Sequence, residues 1–222
     1  MTYFPESCRG AIFDMDGTLL DSMHIWEQVD IDFLAAHGRT FTKEYGANLK
    51  TLDFRQSAVY TIDLFGLAMT PAEVIAEWDA LALAKYRDEL PAKPHAVSYL
   101  RELRSKGIRI ALATVAPERY YAPALERTGL LPYFDVIVGP DDFPTGKNSP
   151  ELFIHTAACM RLKPEECLVY EDTLTAAETA KKGGFPVCAV YDPASEADFP
   201  RMQQSFPYSL MDFQSGIRLN CR

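Results

Sequence analysis

Ile12-Phe13-Asp14-Met15-Asp16-Gly17-Thr18-Leu19-Leu20-Asp21 begins apolar, turns acidic and carries one glycine. Ala11 to Phe13 is a short apolar run, long enough for the buried end of a strand. The run stops at Asp14, and Gly17 permits a backbone turn that other residues resist. Side chains two apart on an extended segment face the same way, so Asp14 and Asp16 can reach one site together. Two such carboxylates repel each other unless a cation or a proton intervenes. The pair therefore invites a divalent metal, and suits chemistry in which one aspartate attacks while the other handles protons. It is not an EF-hand, because the third ligand position and the closing glutamate are missing.

Downstream the periodicity becomes helical. Ile25, Trp26, Val29, Phe33 and Leu34 recur at three- and four-residue steps up to Gly38, with Ser22 as the expected N-cap. Further helices are expected over 54–65 and 71–86, the latter with Thr70 as cap and Pro71 at its first position. No strand is expected between Asp21 and Glu89, which makes this block all helical. Leu90-Pro91-Ala92-Lys93-Pro94 then reads as a linker.

From His95 onward, helical stretches alternate with short apolar ones. Helices are expected over 96–106, 117–128, 150–160 and 174–182, and strands over 108–113, 136–138, 167–170 and 187–190. This rhythm predicts an α/β fold with a parallel sheet wrapped by helices on both faces. The tail, 193–222, has weak periodicity and is expected only to wrap the core. Asp14, Thr114 and Glu171-Asp172 all fall where an expected strand gives way to a loop, and Lys147 lies in the one long loop of this half. In an open parallel sheet those carboxyl ends gather along one edge, where ligands bind. Taken singly, Thr114 reads as a strand end, Lys147 as a solvated charge and Glu171-Asp172 as a helix N-cap. Their shared position is what favours a site.

The 222 residues fit one large domain, or one with an insertion. Against 31 acidic residues stand 22 basic ones, a net charge of −9 that repels nucleic-acid backbones and anionic membranes. The five cysteines, Cys8, Cys159, Cys167, Cys188 and Cys221, form no Cys-x-x-Cys pair and are expected to be reduced thiols. The first ten residues hold no apolar stretch of signal-peptide length, and no run approaches the roughly 18 apolar residues of a membrane span. The expectation is a soluble cytoplasmic protein. No sequence feature specifies an oligomeric state.

Four motifs in order resemble those of the haloacid dehalogenase-like superfamily, in its phosphatase and β-phosphoglucomutase-like branch with a helical cap. Asp14-Met15-Asp16-Gly17-Thr18 matches the first motif in full, and Leu20-Asp21-Ser22 continues its phosphatase form. Thr114 stands at the second motif, Lys147 with Pro150-Glu151 at the third, and Glu171-Asp172-Thr173 at the fourth. The resemblance covers nearly the whole chain. It implies a Rossmann-like parallel sheet core (1–18 and 90–222) with an inserted all-helical cap domain (19–89). It also implies a Mg²⁺-dependent phosphatase acting on a small phosphorylated metabolite through an aspartyl-phosphate. Asp14 would attack phosphorus. Asp16 would protonate the leaving oxygen and then deprotonate water. Mg²⁺ would be held by the Asp14 carboxylate, the Asp16 main-chain carbonyl and Asp172, with Glu171 nearby or acting through water. Thr114, the Val115 backbone N–H and Lys147 would meet the phosphate oxygens. Alternatives from the same resemblance are a sugar-phosphate mutase like β-phosphoglucomutase, and a catalytically idle binding or regulatory scaffold.

The chain departs from the family pattern in four places. Thr114-Val115-Ala116 replaces a triplet richer in side-chain donors, and Asn148 follows Lys147 where proline is common. Ala176 stands where glycine usually follows the fourth motif, and Trp26 occupies a cap position often held by histidine. The candidates for substrate contact are Thr18, His24, Trp26, Lys50 and Arg55. The ordinary reading of Trp26 is packing inside the helical block, and that of Lys50 and Arg55 a solvated face.

Overall fold

A computed structural model describes residues 4–49, 52–143 and 145–214. Chain contacts divide it into two compact units, one of residues 1–23 and 90–222 and one of residues 24–89. The first unit begins with β1 (Gly10–Phe13), all four residues buried.

The second unit is built of α1 (Ile25–Ala36), α2 (Lys43–Leu49), α3 (Phe54–Phe65) and α4 (Pro71–Asp88). Phe33 packs edge-on against Trp78, with ring centres 5.7 Å apart, among buried Val29, Leu34, Val74 and Ala82. Asp53 with Gln56 and Thr70 with Glu73 form capping boxes that satisfy the exposed N–H groups opening α3 and α4. Helix α2 has no apolar period to announce it, since Tyr45 is its one buried residue. Ser22 does not cap α1, as the spacing predicts; His24 holds that position without a side-chain bond. Nor is Trp26 interior: it is 41% exposed and set edge-on against the equally open Phe54.

The first unit resumes with α5 (Ala96–Ser105), β2 (Arg109–Ala113), α6 (Glu118–Thr128), β3 (Val136–Val138) and α7 (Glu151–Cys159). It continues with β4 (Cys167–Glu171), α8 (Leu174–Lys182), β5 (Val187–Val190), α9 (Phe199–Ser205) and β6 (Tyr208–Leu210). The six strands are parallel in the order β3-β2-β1-β4-β5-β6. This is the expected α/β sheet with an all-helical insertion. The sixth strand and α9 exceed the expectation of a simple terminal wrap. A three-residue Tyr-Ser-Leu strand is too short to show an alternation, so its pairing with β5 decides it.

Successive strand residues face opposite sides of the sheet. Ile12, Ala111, Ala113, Val169, Val187 and Ala189 meet Leu152 and Phe153 of α7, Ala177 and Ala180 of α8, and Met202 of α9. On the other face, the Phe13 and Tyr170 rings stack 4.2 Å apart, and the Tyr170 and Tyr99 hydroxyls meet at 2.6 Å. The chain winds outward from β1 in one direction and from β4 in the other. The crevice at their carboxyl ends is where such sheets bind ligands.

Candidate active site

Register brings the acidic residues together. Phe13 pairs with Leu112 on one side and Tyr170 on the other, so Asp14 leaves the sheet level with Ala113 and Glu171. The Asp14 N–H donates to Tyr170 O at 3.0 Å, which fixes the first residue beyond the strand. Asp14, Glu171 and Asp172 are buried, and carboxylate oxygens of the three lie within 4.8 Å of one another. Lys147, on a single helical turn over Gly146–Asn148, donates from Nζ to both Asp14 Oδ1 and Glu171 Oε1.

The charges do not balance. One ammonium faces three carboxylates in a place with little water. Burial first, then the Asp14 and Glu171 charges, raise the Asp172 carboxyl well above the ordinary range. Burial also raises Glu171; Lys147 opposes the shift and Asp14 adds to it. Burial alone would lower Lys147, but Asp14 and Glu171 outweigh it and keep the amine charged. Asp172 accepts from the Thr18 hydroxyl at 3.0 Å through Oδ1, while its Oδ2 is buried without a hydrogen-bond partner. A buried, unpaired carboxylate oxygen beside two more carboxylates is a natural place for a cation. The donors are all oxygen, which suits a hard ion such as Mg²⁺.

Asp16 sits on the turn that leaves this cluster. Gly17 has φ +79°, and a β-carbon there would lie 2.4 Å from Asp172 Oδ2, so glycine is required on both counts. The Ser22 hydroxyl donates to Asp16 Oδ1 at 2.7 Å. Ser22 thus serves Asp16 where helix capping was expected. Only its proximity to the motif could have signalled this.

At the end of β2, the buried Thr114 hydroxyl accepts from the Ala116 N–H at 3.0 Å, which leaves its own hydrogen to donate elsewhere. Val115 is 53% exposed. Thr18 is fully buried beneath Asp172. In the helical unit, His24 is exposed at the start of α1. Arg55 on α3 lines a shallow hollow with Leu52, Val59 and Tyr60. Lys50 and Cys221 fall outside the described residues.

A doubly wound parallel sheet with carboxylates and a lysine clustered where its strand order reverses places the candidate site at the crevice in which such α/β folds bind their ligands. The chain belongs to the haloacid dehalogenase-like hydrolases, whose family model matches residues 8–184. It is similar to a phosphorylated carbohydrates phosphatase of Thermotoga maritima, 26% identical over 79% of this chain and 82% of the relative. Hexitol phosphatase A of Escherichia coli is 29% identical over 89% of this chain and 88% of its own. Among solved structures, a Thermotoga maritima protein provisionally assigned as a β-phosphoglucomutase shares the fold at a TM-score of 0.80. That match has 23% identity and covers 91% of this chain and 94% of the other.

Proposed function

We propose that this hydrolase is a Mg²⁺-dependent phosphatase that cleaves a small phosphate monoester through an aspartyl-phosphate on Asp14. The observation that carries the reading is the cluster of Asp14, Glu171 and Asp172 oxygens around one lysine, with Asp172 Oδ2 unpaired. Asp14 and Asp172, with the Asp16 main-chain carbonyl and Glu171, would hold the ion. Its contribution when bound is positive charge that cancels the repulsion between the Asp14 carboxylate and an anionic phosphate.

The remaining chemistry belongs to the chain. Lys147 lies against Asp14 and Glu171, so its ammonium is set to take a phosphate oxygen. The free hydrogen of Thr114 and the Val115 N–H would donate to others. Asp14 Oδ attacks phosphorus as the ester P–O bond breaks, and Asp16 gives its proton to the departing oxygen. Asp16, now ionised, takes a proton from water as that water attacks phosphorus, and the Asp14–phosphorus bond breaks to release phosphate. Ser22 holds the Asp16 carboxyl through this exchange.

A phosphorylated sugar or polyol is the favoured substrate class, supported by the names of two relatives. We read the helical unit as a substrate-selecting cap, with His24, Trp26 and Arg55 as its candidate contacts. A cytoplasmic setting agrees with the free thiols of Cys8, Cys159, Cys167 and Cys188. Among the described residues no helix is long and apolar enough to cross a membrane.

The deciding experiment supplies sugar and polyol phosphates in ¹⁸O-water with Mg²⁺, then repeats the assay in EDTA. The expected result is released phosphate carrying solvent ¹⁸O, lost in chelator and restored by metal. Isomer exchange without label would replace this reading with the mutase. Metal and phosphate binding without turnover would replace it with an idle scaffold.

A further inference from the structure

Outside the carboxylate cluster, the first unit buries a second ion pair. Lys93 Nζ lies 3.0 Å from Asp192 Oδ2 and donates to Tyr191 O at 2.7 Å, with the Lys93 and Asp192 side chains only 12% and 2% exposed. Asp192 follows β5 and accepts from the Ala194 N–H through Oδ1 at 2.8 Å. Apart from Lys93, its Oδ2 has no partner. Buried pairs often contribute little net stability, because desolvation offsets attraction. In some proteins such a pair instead fixes where a segment sits.

The segment here is specific. The Lys93 N–H donates to Leu19 O at 2.8 Å, the Asp21 N–H donates to Pro91 O at 3.1 Å, and Leu20 bridges Ala92 in antiparallel fashion. Residues 19–21 and 91–93 therefore form a short ribbon. Its first strand closes the turn that carries Asp16: Gly17 N–H donates to Leu20 O, and the Leu19 and Leu20 N–H groups both donate to Met15 O. A continuous path thus runs from β5 through Asp192, Lys93 and Leu19 to the Asp16 turn.

We propose that Lys93 is a positioning residue for the Asp16 turn, with Asp192 as its anchor on the sheet. The proposal rests on the reading of Asp16 as acid and base. Without the pair the ribbon loosens, and Asp16 spends less time where a leaving oxygen can take its proton.

The test compares the full-length wild type with Lys93→Met, Lys93→Arg and the double variant Lys93→Met/Asp192→Asn. The double variant leaves no unpaired charge and so guards against misfolding. Amide exchange is read first. Gly17, Leu19, Leu20, Asp21 and Lys93 N–H groups should exchange about tenfold faster in Lys93→Met and in the double variant, and near the wild-type rate in Lys93→Arg, while β1 and β4 amides stay unchanged. Turnover is read second. With an alkyl phosphate, whose leaving group needs a proton, kcat should fall on the order of tenfold or more. With p-nitrophenyl phosphate, whose leaving group needs none, it should fall less than about threefold. Unchanged exchange in the ribbon, or faster exchange across the whole sheet, would overturn the proposal. So would equal losses for both esters. If the wild type hydrolysed neither ester nor any sugar or polyol phosphate, the phosphatase reading would fail, and exchange alone would decide whether the pair holds the turn.

Discussion

The Thr18 hydroxyl donates to Asp172 Oδ1 at 3.0 Å across 154 residues of sequence, while the second oxygen of that carboxylate is buried without a hydrogen bond. One oxygen is oriented by the protein, and the other is the one proposed above to meet the ion. Where a metal binds, outer partners of this kind orient its ligands, and losing one typically costs about 10- to 100-fold in affinity.

Thr18→Val keeps the shape and removes the donor. Mg²⁺ affinity should fall about 10- to 100-fold, measured by calorimetric titration of the purified chain. At saturating metal, most of the turnover should return. Unchanged affinity would mean that Asp172 does not depend on Thr18 for its orientation.

Asp14→Asn removes the attacking charge without changing shape. Turnover should fall by roughly four powers of ten, while the thermal midpoint stays within a few degrees of wild type. Stability should survive because Lys147 retains Glu171 and the crowded cluster loses one negative charge. Phosphate release and thermal unfolding followed by circular dichroism check the two halves. Turnover above a small fraction of wild type would assign the nucleophile elsewhere.

Gly17→Ala places a β-carbon 2.4 Å from Asp172 Oδ2 on backbone at φ +79°. Gly107→Ala is the control, since its φ is +75° and nothing lies within 4 Å of the added carbon. The control should lose about 1 kcal/mol, the backbone term alone. Gly17→Ala should lose more and bind Mg²⁺ weakly, because Asp172 must move. Urea unfolding gives the difference, and equal losses would show that the clash relaxes at no cost.

Much of this arrangement was legible in the sequence, for physical reasons. β1, β2, β4 and β5 are apolar runs ended by Asp14, Thr114, Glu171-Asp172 and Tyr191-Asp192, so composition changes where the sheet stops. Thr70 and Pro71 mark the start of α4 because caps are local chemistry. What the sequence could not show was pairing at a distance. Ser22 looks like a helix cap until the fold brings its hydroxyl to Asp16, and Lys93 looks like linker until Asp192 arrives beside it. Helix α2, with one buried residue, and β6, with three residues, carry too little pattern to be read alone.

The last prediction concerns the helical unit. Burial raises the Asp30 carboxyl to about 7, with the Tyr45 hydroxyl opposing the shift and Glu27 adding to it. A carboxyl raised in the folded state keeps its proton after the unfolded chain has lost its own near about pH 4. Between about pH 4 and 7 the folded state therefore binds more protons, and stability drains away as pH rises. Above about pH 7 the full cost of a largely buried carboxylate remains. Asp30→Asn abolishes the titration and keeps a polar group near Tyr45 and its partner Thr61. The variant should match wild type at about pH 4, gain on it steadily, and exceed it by on the order of 2 kcal/mol at about pH 8. Denaturant unfolding of both proteins at about pH 4, 5.5, 7 and 8 measures the gap. A difference that did not change with pH would show that Asp30 ionises in the folded chain as readily as in the unfolded one.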